Sequence, residues 1–459
     1  MSKTVSLDLA REVLGYRPET LDAADVEQAK RLILDWCGVT TQGTTTPWGR
    51  MVHDWAMANA GPGRARLAGS GQTRAAAAAA LVNGTAAHGY ELDDNHDPSM
   101  GHCGSVVITA AMAVAGQVGA PSAAVIPAVV AGYEAMARVG RAGNIAEMVK
   151  VGFHPTASFG MFGAAAAAAH LMGLTPEQLA MAWGIGLSTI AGTQQFAEEP
   201  KGTMVKRMHS GLPAQNGILA AELAALGITG PMQAIEGRYG FLALYGRQPR
   251  PEMLVKAPGA PLEIHTITVK PYACCRKFHS LIDALAEATG GGTLDPAAVE
   301  AITVHSPLVS LEQHQLRRPD SVMAAQYSMP YIVGATLAYG PSRFDAYETA
   351  HHTDPAILGL IDRIEARRDP SFEPVYPEHM GNAVEIRMAD GRVLGARVAD
   401  GLGSPYKPID RAGLRAKAAT LMAMADPGID PDAVEAAIWS LEAADSVDAL
   451  MRLLMVDRH

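Results

Sequence analysis

The sequence has few cysteines. Four occur in 459 residues, Cys37, Cys103, Cys274 and Cys275, and none of them belongs to a C-x-x-C pair. Small domains that depend on disulfides for stability are far richer in cysteine. We therefore expect no disulfide framework, and the composition favours a reducing, cytoplasmic location.

Charged residues are also scarce, and the basic ones are outnumbered. They make up 18% of the chain, with 37 Lys and Arg against 47 Asp and Glu, so the formal net charge is −10. Binding to nucleic acid needs a basic face that can replace counterions on the phosphates. Nucleic acid is therefore not an expected partner, and an anionic ligand would have to meet a local basic cluster.

Long uninterrupted apolar runs are missing. The first residues, "MSKTVSLDLAREVLGYRP", carry charges where a signal peptide needs an apolar segment. The longest apolar run, which starts at Ile108, is interrupted by Gln117, Gly and Pro. We expect no signal peptide and no membrane partner, and we expect the apolar residues to form buried helices.

Several motifs that identify common enzyme classes are absent. The sequence contains no G-x-x-x-x-G-K-[ST], no strand-borne G-x-G-x-x-G, no G-x-S-x-G and no H-E-x-x-H. Nucleotide, dinucleotide and zinc-protease chemistry are therefore poor explanations for this chain.

Helical patterns dominate the first 265 residues. Thr175, Pro176 and Gln178 have the spacing of an N-cap, a first-turn proline and a capping box. Ala-rich stretches such as "FGAAAAAAHLMG" are typical of helices that pack closely against other helices. This part of the chain is predicted to be a helical domain.

Patterns typical of strands appear near residue 266. "EIHTITVK" and "VEAITVHSP" predict strands, and "AVEIRMADGRVLGARV" predicts a hairpin that turns at Asp-Gly. From about residue 405 the pattern is helical again. We predict a mainly α protein with a smaller α+β part: a helical domain (1–265), an inserted α+β lid domain (266–404), and C-terminal helices (405–459) that pack back on the helical domain.

One stretch, "HGYELDDNHDPSMGHCG", concentrates acidic and histidine side chains between two Ala-rich regions. They are Glu91, Asp93, Asp94, Asp97, His88, His96 and His102. Three interpretations are open: a solvated polar loop, a metal site, or an acid/base site in which a carboxylate orients His102. The metal set would be Asp93, His96, Asp97 and His102, although this spacing matches no standard zinc or calcium pattern.

Two further segments combine histidine with positive charge. His154 stands directly before Pro155 and the predicted start of an Ala-rich helix, where an anion is favoured. The densest basic patch then follows and consists of Lys201, Lys206, Arg207 and His209. A capping histidine and a solvated basic face are the alternatives to an anion-binding site.

The β-containing region offers two more candidate segments. "VKPYACCRKFHSLIDAL" contains Lys270 and Cys275, and a thiolate nucleophile is less expected there than buried cysteines. "AAQYSMPYIVGATLAYG" contains Tyr331, for which a core aromatic is the alternative to a functional residue.

Six segments taken in order resemble the MmgE/PrpD family, which includes 2-methylcitrate dehydratase, cis-aconitate decarboxylase and iminodisuccinate epimerase. The segments are "LVNGTAAHGYELDDNHDPSMGHCGSVV", "GFHPTASFGMFGAAAAAAHLMGL", "GTMVKRMHSGLPAQNGILAAELA", "EGRYGFLALYG", "KPYACCRKFHSLIDA" and "YSMPYIVGATLAYG". The resemblance implies homodimers that work without a metal or an organic cofactor on a small anionic carboxylate substrate.

The resemblance also assigns individual residues. The implied catalytic residues are His102, His154, Asp93 and Tyr331, with Asp93 orienting His102. The implied substrate-binding residues are Asp94, Asn95, Lys206, Arg207, His209, Lys270 and Cys275. Glu91 stands where the decarboxylases carry Asp, and Cys275 takes the place of a histidine that they use, which counts against decarboxylation.

The expected activity is that of a cofactor-independent lyase. It would transfer protons at the carbon α to a carboxylate of a small di- or tricarboxylate, with a 2-methylcitrate dehydratase-like reaction as the first candidate. The alternatives are an epimerase of a 2-substituted succinate and a helical ligand-binding protein without turnover. Glu91, His96 and Asp97 have no assigned role.

Overall fold

Helices form most of the protein, and a computed structural model describes residues 4–197, 199, 203–312 and 314–456. Contacts between Cα atoms divide the chain into a helical unit and an α+β unit. The helical unit comprises Met1–Gln194, Met204–Ile267 and Asp410–His459, and the α+β unit comprises Gln195–Thr203 and Thr268–Ile409. The predicted fold class, mainly α with a smaller α+β part, is confirmed. Lys201 lies outside the described residues.

The first part of the helical unit contains helices and very short strands. The helices are α1 (Val5–Val13), α2 (Ala23–Gly43), α3 (Pro47–Asn59), α4 (Ala76–Ala87), α5 (Gly104–Val118), α6 (Val125–Ala142), α7 (Ile145–Lys150), α8 (Pro155–Met172), α9 (Pro176–Gly186), α10 (Met208–Ala225) and α11 (Phe241–Leu244). The strands are β1 (Ala65–Arg66), β2 (Thr73–Arg74) and β3 (Asn95–His96), of which β1 and β2 pair antiparallel.

Local sequence signals explain where these helices begin. The capping box predicted at Thr175 is present: the Thr175 hydroxyl accepts from the N–H of Gln178, and the Gln178 amide oxygen accepts from the N–H of Thr175. His154 is the N-cap residue of α8 and Pro155 is its first residue, which suits a residue without an N–H.

The Ala-rich helices lie in the core. α4 and α8 are buried along most of their length, and both pack against α10. The closest approach involves two glycines, because a Cβ atom on Gly84 would lie 2.7 Å from the Cα of Gly211. A Cβ on Gly211 would lie 2.4 Å from the carbonyl oxygen of Leu81. The small residues therefore set how near α4 and α10 can come.

The α+β unit is built on one four-stranded sheet. After β4 (Ile267–Thr268), its elements are α12 (His279–Thr289), β5 (Val299–Ser306), α13 (Leu308–Leu311), α14 (Val322–Gln326), α15 (Met329–Tyr339), α16 (Pro355–Ile361), β6 (Ile364–Arg368), β7 (Asn382–Met388) and β8 (Val393–Val398). The order is β6-β5-β7-β8, with β5 parallel to β6 and the other pairs antiparallel. α12 packs on β7 and β8.

The structure agrees with two of the strand predictions and corrects a third. The segment "VEAITVHSP" forms β5 (Val299–Ser306). The predicted hairpin is confirmed as β7 and β8, which turn at Asp390-Gly391. The predicted strand "EIHTITVK" is wrong for most of its length, since only Ile267–Thr268 is extended. Glu263–Thr266 instead form a 3-10 turn, in which the Thr266 hydroxyl donates to the carbonyl of Glu263 at 2.7 Å. This local hydrogen bond competes with strand pairing.

The C-terminal helices belong to the helical unit. They are α17 (Arg411–Ala425), α18 (Pro431–Trp439) and α19 (Asp448–Leu453), and α17 packs along α2. Lys417 of α17 is buried and donates to the Asp35 carboxylate at 2.6 Å and to the carbonyl of Leu92 at 2.7 Å. The tail therefore contacts the acidic loop that follows α4.

One helical stretch, Ser122–Ala142, is long and apolar enough to span a membrane by length and composition. In the described part of the chain, 89% of its most apolar window is buried inside the protein. This burial is what a helix in the core of a folded protein shows. The absence of a membrane partner stays a prediction.

Filling the contact between α4 and α10 should destabilise the protein. We expect Gly84→Ala to lower the free energy of unfolding by about 1–3 kcal/mol, because the added methyl group overlaps the backbone of Gly211. Gly61→Ala is the matched control, since a Cβ there meets no atom within 4 Å. Urea denaturation followed by circular dichroism measures both, and equal midpoints for the two variants would contradict the close packing.

Candidate active site

Most of the acidic and histidine side chains lie on the loop between α4 and α5, and this loop is buried. His88 and Asp93 are 0% and 1% exposed, and His102 is 7% exposed. The interpretation as a solvated polar loop is therefore wrong. Lys206, Arg207 and His209 are also buried, so the interpretation as a solvated basic face is wrong for these three residues.

The backbone of this loop has an unusual path. Glu91 and Met100 have φ angles of 59° and 54°, in the left-handed region that non-glycine residues seldom adopt. The N–H of His96 donates to the carbonyl of Gly101 at 2.8 Å, which closes a turn around Asp97–Ser99. Left-handed residues at a buried polar site are typical of functional loops, where the surrounding structure holds a costly conformation.

Asp93 contacts two imidazoles through one oxygen. Its Oδ2 lies 2.7 Å from Nδ1 of His88 and 3.3 Å from Nδ1 of His102. The shorter contact makes His88 the stronger partner. Asp93, which we predicted to orient His102, therefore contacts His88 as well, and His88 had no assigned role.

The tautomer of His102 follows from its acceptors. Its Nδ1 lies 2.9 Å from the main-chain carbonyl oxygen of Asp94, and a carbonyl can only accept. Nδ1 therefore carries a proton, and in the neutral ring the lone pair is on Nε2. A histidine in this form can take up a proton at Nε2.

The side chain of Asp94 is engaged elsewhere. Its two oxygens accept from the hydroxyl of Tyr133 at 2.6 Å and from the N–H of Gly104 at 2.7 Å. Burial raises the pKa of Asp94 to about 7, although both hydrogen bonds act in the opposite direction. We revise its predicted substrate-binding role: this carboxyl holds the loop to α5 and α6.

Two further histidines stand beside this group. The ring of His154 lies 6.4 Å from that of His102, with an angle of 18° between the planes, and 5.9 Å from that of His88. The ring of His209 lies 4.9 Å from that of His154. Four histidines from the ends of α4, α8 and α10 and from the loop thus form one cluster, which we call the histidine cluster: His88, His102, His154 and His209.

Burial keeps three members of the histidine cluster neutral. It lowers the pKa of His154 well below its usual value, and the nearby His209 and Lys206 add to this effect. It also lowers the pKa of His209 to about 3, helped by His88 and Lys206. The pKa of His88 is lowered by burial against the attraction of Asp93. At neutral pH these imidazoles are therefore proton acceptors.

The predicted anion-binding cations are paired with a buried acid. Glu91 accepts from the ammonium of Lys206 and from the guanidinium of Arg207, the latter at 2.5 Å. The guanidinium also lies 5.3 Å from the ring centroid of Trp48. Glu91, which had no assigned role, holds both cations, and the group keeps one net positive charge beside the histidine cluster.

The metal ligands considered from the sequence do not come together. His96 contacts the hydroxyl of Ser99 at 2.7 Å and the Glu263 carboxylate at 3.1 Å, and Asp97 accepts from the amide of Asn95. Asn95, which we predicted to bind substrate, therefore makes a hydrogen bond within the loop itself.

A different set of three could be considered for a metal. Candidate ligand atoms of His88, Asp93 and His102 lie within 4.8 Å of one another. Two ligands of one tetrahedral zinc ion stand about 3.4 Å apart, given bonds near 2.1 Å. The 2.7 Å contact between His88 and Asp93 is shorter and is the length of a hydrogen bond. The contact between His88 and Asp93 therefore fits a hydrogen bond better than two ligands of one metal ion.

The remaining predicted residues lie in the α+β unit. Lys270 and Cys275 are buried, and the N–H of Cys275 donates to the carbonyl of Gln326 at 2.9 Å. The Tyr331 hydroxyl donates to the carbonyl of Ala346 at 2.9 Å, and burial raises the pKa of Tyr331. This environment is that of a core aromatic, so its role as a proton donor stays a prediction without geometric support.

Comparison with known proteins shows the family to which this chain belongs. The family model described as the MmgE/PrpD N-terminal domain matches residues 7–254, and the one described as the MmgE/PrpD C-terminal domain matches residues 272–440. Together they span most of the chain.

Several curated relatives are similar over nearly their whole length. A cis-aconitate decarboxylase-like protein, oryM, of Aspergillus oryzae is 28% identical over 98% of this chain and 97% of its own. The cis-aconitate decarboxylase of Aspergillus terreus is 28% identical over 94% and 91%, and that of Mus musculus is 27% identical over 99% and 94%. On these matches, the chain belongs to the MmgE/PrpD family and is a lyase.

Proposed function

We propose that this lyase transfers a proton at the carbon α to a carboxylate of a small di- or tricarboxylic acid, using its own side chains as acid and base. The observation that supports this most is the histidine cluster, whose buried and mostly neutral imidazoles stand beside Lys206. The cluster offers several proton-transfer groups within a few ångströms, next to a cation that an anionic substrate could approach.

The chemistry explains why both features are needed. When a bond to the α carbon breaks, negative charge develops next to a carboxylate that is already negative. A lysine or arginine nearby stabilises this charge, and an imidazole removes or delivers the proton. Lys206 and Arg207 fit the first task, and His102 and His154 fit the second.

Decarboxylation of an unsaturated tricarboxylate is the first candidate reaction, and the relatives support it. In the conversion of cis-aconitate, the bond to the leaving carboxylate breaks and its electron pair forms a new C=C bond. The former double-bond pair then takes a proton at the carbon α to another carboxylate. An imidazole of the cluster would supply this proton once the anionic substrate has raised its pKa.

A 2-methylcitrate dehydratase-like reaction is the second candidate. Here a base takes the α proton, and the pair left on carbon forms a C=C bond as hydroxide leaves with a proton from an acid. The depressed pKa values of His154 and His209 favour this direction, because a neutral imidazole is ready to accept a proton. Cys275, in place of a histidine that the decarboxylases use, points the same way.

Other features remain proposals from the sequence patterns or from the family resemblance. They are the homodimer, the cytoplasmic location, the independence of metal and organic cofactors, the three-part domain boundaries, and the binding roles of Lys270 and Cys275. Epimerisation of a 2-substituted succinate also stays open, and it would appear as deuterium incorporation without loss of water or carbon dioxide.

Removing single imidazoles should abolish most proton transfer. We expect His102→Asn and His154→Gln each to lower turnover about 10²–10⁴-fold, the usual contribution of a general acid or base. Asn at position 102 keeps an N–H for the Asp94 carbonyl and removes Nε2. Proton NMR in deuterated buffer with 2-methylcitrate, citrate, cis-aconitate and iminodisuccinate measures product formation and deuterium uptake.

His170→Gln is the matched control for these variants. His170 lies in the last turn of α8, the helix that His154 caps, and its Nε2 donates to the carbonyl of Tyr16, away from the histidine cluster. This variant should keep wild-type rates. If both cluster variants kept them as well, the assignment of His102 and His154 would be wrong.

The pH dependence of kcat/KM should separate the two candidate reactions, because it reports ionisation of the free enzyme. The pKa of His154 lies well below 6.5, so its protonated fraction rises about tenfold for each unit that the pH falls. If His154 donates the proton, as decarboxylation requires, kcat/KM rises in the same way from pH 8 to 6.5. If it accepts, as dehydration requires, kcat/KM is flat in this range. A midpoint at 6.5 would contradict a buried, depressed histidine.

A further inference from the structure

His88 is the member of the histidine cluster that neither the sequence nor the family resemblance assigned. It follows the last residue of α4 as its C-cap residue, and its side chain is wholly buried. Its Nδ1 makes the shortest contact of the Asp93 carboxylate described here, at 2.7 Å. Because a carboxylate accepts, Nδ1 carries the proton and Nε2 has the lone pair.

The Nε2 atom of His88 has no hydrogen-bond partner in the described part of the chain, and it is shielded from solvent. An unsatisfied buried acceptor is destabilising, so such atoms normally face a group that the free protein does not supply. The ring lies 4.7 Å from that of His102, edge to face, and 5.9 Å from that of His154. The free acceptor is therefore inside the histidine cluster.

We propose that His88 is a third proton-transfer group of this site, with Asp93 as the carboxylate that orients it. The arrangement is that of an acid–base dyad, in which the carboxylate fixes the tautomer and stabilises the imidazolium that forms. This inference rests on the proposed lyase function.

The proton moves in opposite directions in the two candidate reactions, and the balance closes in both. In dehydration, the α C–H bond breaks, its proton forms an N–H bond at Nε2 of His88, and its electron pair forms the C=C bond as hydroxide leaves with a proton from an acid. In decarboxylation, the same nitrogen arrives protonated, gives the proton to the α carbon and returns to the neutral state. The Nδ1 proton stays on the Asp93 hydrogen bond throughout, and the negative Asp93 balances the imidazolium.

Two substitutions separate proton transfer from positioning. His88→Asn keeps an N–H near the place of Nδ1, so Asp93 retains a donor, but it removes Nε2. His88→Phe removes both. We expect His88→Asn to lower kcat at least 100-fold with KM changed less than about threefold and with a similar melting temperature. If His88→Asn kept wild-type kcat while His88→Phe lost it, His88 would only position Asp93 and the proposal would fail.

A spectroscopic measurement keeps the test independent of turnover and of variant folding. Long-range ¹H–¹⁵N spectra of protein labelled at histidine report the protonated nitrogen of each ring. We expect His88 to be neutral with its proton on Nδ1, and its Nε2 resonance to move when tricarballylate, a saturated and hydroxyl-free tricarboxylate, is added. A proton on Nε2 in the free protein, or an Nε2 signal unmoved by saturating tricarballylate, would overturn the proposal. If wild-type protein converted none of the acids, the proposed function would fail, while these spectra would still decide the state of His88.

Discussion

The close approach of α4, α8 and α10 is the constraint on which the candidate site depends. His88 directly follows α4, His154 directly precedes α8, and His209 is the second residue of α10. These imidazoles can meet only because alanine and glycine line the contacts between the helices, as at Gly84 and Gly211. Larger residues would widen the spacing and separate the rings. The Ala-rich composition, which looks uninformative in the sequence, is therefore a geometric requirement of the chemistry.

Electrostatics then decides the state of the groups that the helices bring together. Buried charges persist only when they are paired, and here Glu91 pairs with Lys206 and Arg207. The histidines meet the same cost by staying neutral, since burial disfavours imidazolium. Around the histidine cluster, the free protein thus has few uncompensated charges. An anionic substrate would change this balance, and protons could move in response.

The sequence predicted what depends on residue type and local spacing. Such patterns predicted the α class, the Thr175 cap and the β7–β8 hairpin. They also drew attention to His102, His154 and His209, which the structure brings together. It did not predict what depends on the path of the backbone. The His102 acceptor is a main-chain carbonyl, and the direction of Glu91 follows from a left-handed φ. His88 was visible only as a histidine five positions before Asp93, with nothing to show that it points at the same carboxylate.

The ammonium of Lys417 supports the acid/base loop from far along the sequence. It reaches from α17 to the carbonyl of Leu92, 325 positions earlier, beside Asp93. During synthesis the ribosome therefore completes the acid/base loop, the histidine helices and the whole α+β unit before this contact can form. For most of translation, a nascent chain would therefore contain its proton-transfer groups without the hydrogen bond from Lys417 that supports their loop. Docking of the last helices is then the step that completes the site.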